Sequence, residues 1–483
     1  MESLSVKNLC IYHTLDALTE GLSHFSGSSR TALLYAEKRE DPMRVYDPQD
    51  LLAGHEPKLK ELYLDSDLWR SRIPFFENNQ LFGQILPERK LPLTGLITYG
   101  GKSRSIFYQM WFAEQHPDMC STGPTERWLE HAACLLAHDF AHEEAFYTGS
   151  ARYVLREYST HAVRDFIWDE LNRRFGWDIW MEVYTILDSI LAISKTPEEG
   201  AWPRGTLVFV EPSALKKLDF MVRFPVVERL GLRNYKHVRK LLLAVEDSDR
   251  KLISDGQQVV GIMTGELPMC RITADFRGGH GFLRLMGEPV CSFFDGRYHS
   301  TNRKPKLVQL EELLLESPAD QSTSHILFKT VAAIVEKAGE RKHGCTVVVD
   351  FNDPPLSIAG QKLEQPIDLQ QEASLELAKS LAKVDGALHL GGDLRLHSFA
   401  CLLDGRAVPG EDRSRGARYN SALRFTAERK NLIVVVVSSD RPVSVIQGGV
   451  EITASSEWAP FAQLMTRPPT LEEWLARSCG ASR

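Results

Sequence analysis

Proteins that hold a nucleotide use three kinds of group: a carboxylate for a metal ion or a ribose hydroxyl, glycines that let backbone amides approach phosphate, and an arginine fork that takes two phosphate oxygens. All three fall in the last third of this 483-residue chain. Asp385 stands directly before Gly386 and Ala387, and Gly391-Gly392 forms a turn soon after. About thirty residues later comes Gly416-Ala417-Arg418-Tyr419-Asn420-Ser421-Ala422, then an aliphatic run over 432–437 that ends in Ser438-Ser439-Asp440. Asp-Gly-Ala alone is also a common turn, so the order of the pieces carries the signal.

Other clusters carry less. His131, His138 and His142 are spaced by seven and four on an expected helix, with Glu130, Asp139, Glu143 and Glu144 nearby. An i, i+4 histidine pair is a known metal-binding arrangement. No glutamate follows His138 directly and no third ligand is fixed by spacing, so these histidines, like the His161 and Asp165 pair, read as polar-face residues. Gly278-Gly279-His280-Gly281 lacks the Lys-Ser or Lys-Thr that completes a phosphate loop and reads as a tight turn. Asp255-Gly256 and Asp295-Gly296 read as hairpin turns. Arg303, Lys304 and Lys306, broken by Pro305, read as a solvated linker.

Positioning the candidate residues takes a regular scaffold, and the hydrophobic pattern supplies one. Leu327, Val331, Ile334, Val335 and Ala338 recur at helical spacing after a cap at Thr323 or Ser324, and Gly344 follows as a stop, which predicts a helix over about 324–342. Residues 345–351 read as a fully buried strand, 370–383 as a helix, and 394–403 and 432–437 as further strands around an Asp385 strand. This is an α/β domain over 320–455 with a mixed central sheet. Upstream, 1–200 reads as predominantly helical, with Trp128, Leu129, Ala132, Ala133, Leu135 and Leu136 inside a long stretch free of Gly and Pro. The β-rich module at 201–310 shows short strands at 207–210, 241–245, 259–263, 270–276, 282–285 and 290–294, punctuated by glycines. Residues 456–483 read as a C-terminal helical tail. The expected class is thus a multidomain α+β and α/β chain.

Composition sets the outer limits. The apolar fraction of 43% and charged fraction of 25% are globular values. A net charge of −7 argues against nucleic acid as the default partner. Eight scattered cysteines form no Cys-x-x-Cys pair and read as small apolar groups in a reducing compartment. No apolar run of about 18 residues occurs, so a membrane partner is not expected and the cytoplasm is the expected location.

Taken together, the 320–455 pieces resemble the diadenylate cyclase domain of the DisA type. That family combines a helix, a buried strand, an Asp-Gly-Ala strand, a Gly-Thr-Arg-His-Arg-Ala-Ala segment opening a helix, and a Val-Ser-Glu-Glu strand end followed by a return strand. The order and approximate spacing are kept here over about 130 residues. The resemblance implies that Asp385 serves the ribose 3′-hydroxyl and a metal, and that Gly386 and Ala387 line the nucleotide. It further implies that Gly416, Ala417 and Arg418 bind phosphate and that Ser438 matches the serine of Val-Ser-Glu-Glu. Tyr419, Asn420, Ser421 and Ser439 fall in the same binding segments, and Asp440 with Asp385 would be the metal ligands for Mg2+ or Mn2+ if the site is catalytic.

Departures accompany the matches. Tyr419 and Asn420 replace the family's His-Arg, so one permanent phosphate-binding charge is lost. Ser439 and Asp440 replace its two glutamates, and Val384 stands where some members carry a histidine. Arg424 and Arg429 from the following helix are candidates to restore the charge. The 201–310 module, with Ile253-Ser254-Asp255-Gly256 and Ala274-Asp275-Phe276-Arg277-Gly278-Gly279, resembles what precedes the nucleotide domain in sensor-type relatives. The resemblance therefore implies a bacterial nucleotide-binding sensor for ATP or a cyclic dinucleotide. The alternatives are an active diadenylate cyclase, which needs at least a dimer because two domains must face each other, and a non-catalytic interaction module.

Overall fold

The computed structural model describes residues 2–27, 29–71, 85–116, 118–141, 149–176, 180–197, 202–246, 248–278, 280–294, 296–301, 307–315, 317–340, 343–408, 416–437, 443–451 and 467–480. The chain divides into two compact units, Met1–Asn302 with Ser456–Arg483, and Arg303–Ser455.

The first unit begins α1 (Glu2–Ser26), β1 (Thr31–Ala36), β2 (Arg44–Tyr46), α2 (Glu56–Tyr63), β3 (Leu86–Glu88), β4 (Leu96–Lys102) and β5 (Tyr108–Glu114). Four helices follow: α3 (Gly123–Ala141), α4 (Ser150–Arg156), α5 (Ser159–Phe175) and α6 (Val183–Ser194). The helices expected before residue 200 are present, and they are joined by a five-stranded antiparallel sheet in the order β2-β1-β5-β4-β3. Its central strands escape a periodicity reading because every residue of β1 and β4, and all but the last of β5, is buried. A strand covered on both faces loses the polar alternation that marks a strand in sequence.

The rest of this unit holds β6 (Arg204–Val210), β7 (Val222–Arg223), α7 (Tyr235–Leu242), β8 (Lys251–Ser254), β9 (Val259–Met263), β10 (Arg271–Arg277), β11 (His280–Leu285), β12 (Glu288–Phe294) and β13 (Arg297–His299). They form an eight-stranded sheet in the order β13-β12-β11-β10-β6-β8-β9-β7, antiparallel except where β6 meets β8. One correction falls here: 241–245, expected as a strand, is the end of α7 and a 3-10 turn over Leu243–Val245. Val238, Leu242 and Val245 are buried, a spacing of four and three that places them on one helical face. The Asp255-Gly256 turn lies between β8 and β9 as expected, with Asp255 Oδ1 accepting from the Gln257 and Gln258 N–H groups at 2.9 and 2.7 Å and Gly256 at φ +93°.

The second unit contains α8 (Val308–Leu315), α9 (Gln321–Glu340), β14 (Cys345–Asp350), β15 (Gln361–Asp368), α10 (Glu372–Leu381), β16 (Ala387–Gly391), β17 (Arg395–Cys401), α11 (Ala417–Glu428), β18 (Leu432–Val437), β19 (Ser444–Gln447) and β20 (Val450–Glu451). Seven strands make one mixed sheet in the order β15-β17-β16-β14-β18-β19-β20. Side-chain alternation sorts its two faces. Val347, Val349, Ile433 and Val435 share a core with Leu310, Leu327, Val331 and Ala378 from α8, α9 and α10. Val348, Val434 and Val436 share a second core with Ala422, Leu423 and Phe425 from α11. Helices on both faces explain why β18 is aliphatic throughout and why β14 is aliphatic over its central Val347-Val348-Val349.

The chain closes with α12 (Leu471–Gly480), which belongs to the first unit. The Val45 N–H donates to Pro469 O at 3.0 Å, the Leu471 N–H donates to Met43 O at 2.8 Å, and Leu471 is buried in a cluster with Met43, Leu59 and Trp69. Among the described residues no helix is long and apolar enough to cross a membrane.

Candidate nucleotide site

Strand pairing alone determines which residues share a rim of the second unit's sheet. Cys345 at the start of β14 faces Val437 at the end of antiparallel β18, and Thr346 faces Ala387 at the start of parallel β16. Residues 344–346, 385–387 and 437 therefore meet at one rim. α11 starts there too, because Arg418 Nη2 donates to Asp385 Oδ1 at 2.7 Å. Thirty-three positions apart in sequence, the two candidate side chains face each other.

The glycines at this rim have distinct causes. Gly386 has φ +112°, and a Cβ there would lie 2.5 Å from the carbonyl carbon and 2.6 Å from Cα of Ala400. Ala400 is itself at φ +52° in an irregular stretch of β17, where the register with β16 shifts between Ala387 and His389. The two backbones touch, so only glycine fits beside Asp385. Gly416 takes φ +84° and ψ 165° as the N-cap of α11 and offers no side-chain cap. The first N–H groups of α11 are thus left without a capping side chain, an arrangement that favours an anion at a helix N-terminus.

Sequence reasoning missed Gly344, which it took for a helix stop. A Cβ on Gly344 would lie 2.7 Å from Arg418 Nη1, so this glycine provides the shelf on which the guanidinium rests. No local signal marks that role, since its partner lies in a helix that begins beyond four intervening strands. Cys345 lies under the same group: burial pushes its thiol up to about 12, and the nearby Arg418 charge pulls the other way.

Asp385 is 97% exposed and Arg418 47% exposed. An ion pair this open to water contributes about 0 to 1 kcal/mol. Exchanging the carboxylate for a phosphate on the guanidinium is therefore inexpensive.

Other expected residues are placed differently. Ala387 is buried among Val348, Cys401 and Ala422, so its methyl is a core group and only its backbone faces the rim. Tyr419 packs partly on the same core, and its hydroxyl donates to Glu451 Oε2 at 3.0 Å. Asn420 is buried, and Ser421 is half-buried one position on. Arg429 does not reach back. It donates to Asp404 O at 2.9 Å and Oδ1 at 3.2 Å, and eleven residues of helix rise put it about 16 Å along the axis from Arg418. Ser438, Ser439 and Asp440 lie outside the described residues, as do His142, Glu143 and Glu144. Among the described residues no group of three or more His, Cys, Asp or Glu is arranged to hold a metal ion.

Away from the rim, the sheet encloses a polar chain that the sequence reading did not anticipate. Asp350 at the end of β14 accepts hydrogen bonds from His389 Nε2 at 2.9 Å, from the Asn352 and Leu356 N–H groups at 2.9 and 2.7 Å, and from Asn352 Nδ2 at 2.7 Å. The Ser398 hydroxyl continues the chain, 3.3 Å from His389 Nδ1 and 3.1 Å from Cys401 Sγ. Burial raises the Asp350 carboxyl, but these donors outweigh it and hold the group below its ordinary value. All four side chains are buried, so the chain ties β14, β16 and β17 together within the fold.

Three stretches of the chain match known protein families. Residues 332–450 match the family described as DisA bacterial checkpoint controller nucleotide-binding. Residues 5–177 match the probable sensor domain DACND, and 184–291 the probable sensor domain DACNH. No curated protein matches the chain. Among solved structures, a hypothetical membrane spanning protein from Bacillus cereus is 21% identical over 30% of this chain and 68% of that one, with a TM-score of 0.24. DacA from Staphylococcus aureus is 19% identical over 30% of this chain and 96% of that one, with a TM-score of 0.23. At scores this low neither likeness bears on the fold. Residues 332–450 belong to the DisA bacterial checkpoint controller nucleotide-binding family, carried here behind two probable sensor domains.

Proposed function

We propose that this domain binds a purine nucleotide, ATP or a cyclic dinucleotide, at the rim made by Gly344, Asp385, Gly386 and the start of α11, and that occupancy is the signal. The observation that carries the reading is the Asp385–Arg418 contact beside an uncapped helix N-terminus. The guanidinium and the first N–H groups of α11 would take phosphate oxygens, while Asp385 would be freed for a ribose hydroxyl or a metal. One carboxylate matches Mg2+ chemistry, in which the ion keeps several waters and is held by one or two carboxylates together with substrate phosphates. A metal here would therefore arrive with the nucleotide.

The segment that opens α11 suits binding more than turnover. At the two positions where the resemblance implies His-Arg, Tyr419 is engaged with Glu451 and Asn420 is buried. That segment presents a single guanidinium, and losing one such donor costs roughly 10² to 10³ in rate where charge develops in a transition state. A diadenylate cyclase remains the second reading because two probable sensor domains precede the nucleotide domain, an order suited to controlling an output. Two experiments on the full chain separate the readings. Calorimetric titration with ATP and cyclic di-AMP should show binding that Arg418→Ala weakens, and no binding of any purine nucleotide would sink the proposal. Incubation with labelled ATP and Mg2+ or Mn2+, followed by chromatography at several protein concentrations, should yield no cyclic product. Product that disappears in Asp385→Asn would establish the cyclase.

A further inference from the structure

The eight-stranded sheet of the first unit ends on an unusual margin. Val222 and Arg223 of β7 pair with Ile262 and Gly261 of β9. The chain then stays along β9: the Phe224 N–H donates to Val260 O and the Leu232 N–H to Gln257 O, both at 2.8 Å. Between residues 216 and 240 the sequence carries eight Lys and Arg against two Asp and Glu, a net +6 in a chain whose total is −7. Many other basic side chains of this unit rest on carboxylates, as in Arg30–Glu114, Arg127–Asp169 and Arg156–Glu20. Here Lys216, Lys217, Arg223, Arg233 and Lys236 are exposed and have no carboxylate partner among the described residues.

Aliphatic side chains are exposed on the same margin. Met221 is 59% exposed, Val222 50%, Val226 70% and Val227 92%, the last two on a single 3-10 turn. The side chains of Val226 and Val227, next to these cations, bury little of their surface within the folded unit.

We propose that this margin docks on a membrane surface rich in anionic phospholipid. Each Lys or Arg near such a surface is attracted by its negative potential, and aliphatic tips gain by burial at the headgroup boundary. A phosphate backbone of nucleic acid would satisfy the cations and leave the valines in water. Phe220, a ring on which a base could stack, already carries Arg223 at 5.3 Å. An acidic peptide adding a strand to the sheet is opposed by Pro225, which breaks the row of N–H donors along the edge. The lack of an apolar span underlies the expectation of no membrane partner, and a surface contact needs no span.

The test is flotation of the full chain with vesicles of phosphatidylcholine alone and of an equal mixture of phosphatidylcholine and phosphatidylglycerol. The chain should float with the mixture, stay behind with the neutral vesicles, and lose binding as salt is raised. Lys216→Ala with Lys217→Ala should weaken partitioning roughly 25-fold, at about fivefold per charge. Val226→Asp with Val227→Asp should abolish it, and because both positions are exposed the thermal melt should not move. No flotation with the mixture, equal flotation on neutral vesicles, or flotation of the Val226→Asp/Val227→Asp chain at the parent level would each overturn the proposal. Retention on DNA or polyglutamate without flotation would assign the margin to another partner and overturn it as well.

Discussion

Replacing Gly344 by alanine moves the candidate arginine without removing its charge, which makes it a sharper probe than deleting the arginine. The new Cβ would lie 2.7 Å from Arg418 Nη1 and 3.2 Å from both its Cζ and the Val437 carbonyl oxygen. Gly344 is outside the left-handed region, so the alanine itself is unstrained. The guanidinium is the far end of a flexible side chain and yields, while the carbonyl needs to give only a few tenths of an ångström. Without ligand the loss is confined to an exposed ion pair, about 0 to 1 kcal/mol. With ligand it is a charge-assisted hydrogen bond to phosphate, about 1.5 to 3 kcal/mol or roughly 10- to 150-fold in Kd. Calorimetric titration with ATP and cyclic di-AMP, paired with a thermal melt, reads both quantities, and Arg418→Ala sets the ceiling. Unchanged affinity in both variants, or a melt lowered as a core substitution would lower it, refutes the assignment.

Other substitutions test neighbouring parts of the domain. Gly386→Ala combines positive-φ strain with overpacking against the Ala400 backbone and should cost about 2 to 6 kcal/mol in denaturant unfolding, so a loss below about 1 kcal/mol contradicts the close approach. Asp350→Asn should cost about 1.5 to 3 kcal/mol near neutral pH through its weakened hydrogen bonds. Because the folded Asp350 carboxyl sits below its ordinary value of 3.8, its contribution is present above that pH and fades as pH falls through the folded value. The parent's unfolding free energy should therefore drop below about pH 4 by an amount missing from Asp350→Asn. Asn420→Arg, which restores the residue type implied by the family resemblance, should lower the melting temperature and leave nucleotide affinity no better, because position 420 is buried. Tighter nucleotide binding by that variant would show that the position opens to the ligand.

Most of the nucleotide domain was legible because its elements obey simple periods. Leu327, Val331, Ile334 and Val335 mark α9, and the aliphatic stretch 347–349 of β14 and the whole of β18 mark strands covered on both faces. Bringing Asp385 to Arg418 took the order of motifs, since the contact depends on strand pairing that no local pattern encodes. Three kinds of feature stayed hidden. The β1, β4 and β5 sheet has no polar alternation to read. Gly344, Asp350 and His389 have partners far along the chain, with thirty-nine positions between the last two. Tyr419 and Asn420 keep their place in the motif but are directed to Glu451 and the core, an outcome settled by packing.

Because α12 completes a cluster begun near residue 43, the nucleotide domain is an insertion within the first unit rather than an appendage to it. On the ribosome, that unit must wait for the whole of 303–455 to be synthesised before its last helix can arrive. A message truncated near residue 455 would leave Met43, Leu59 and Trp69 without the Leu471 side chain that covers them, and such a product would be a substrate for quality-control proteases. Translation through Leu471 is thereby made a condition for finishing the unit that brackets residues 303–455.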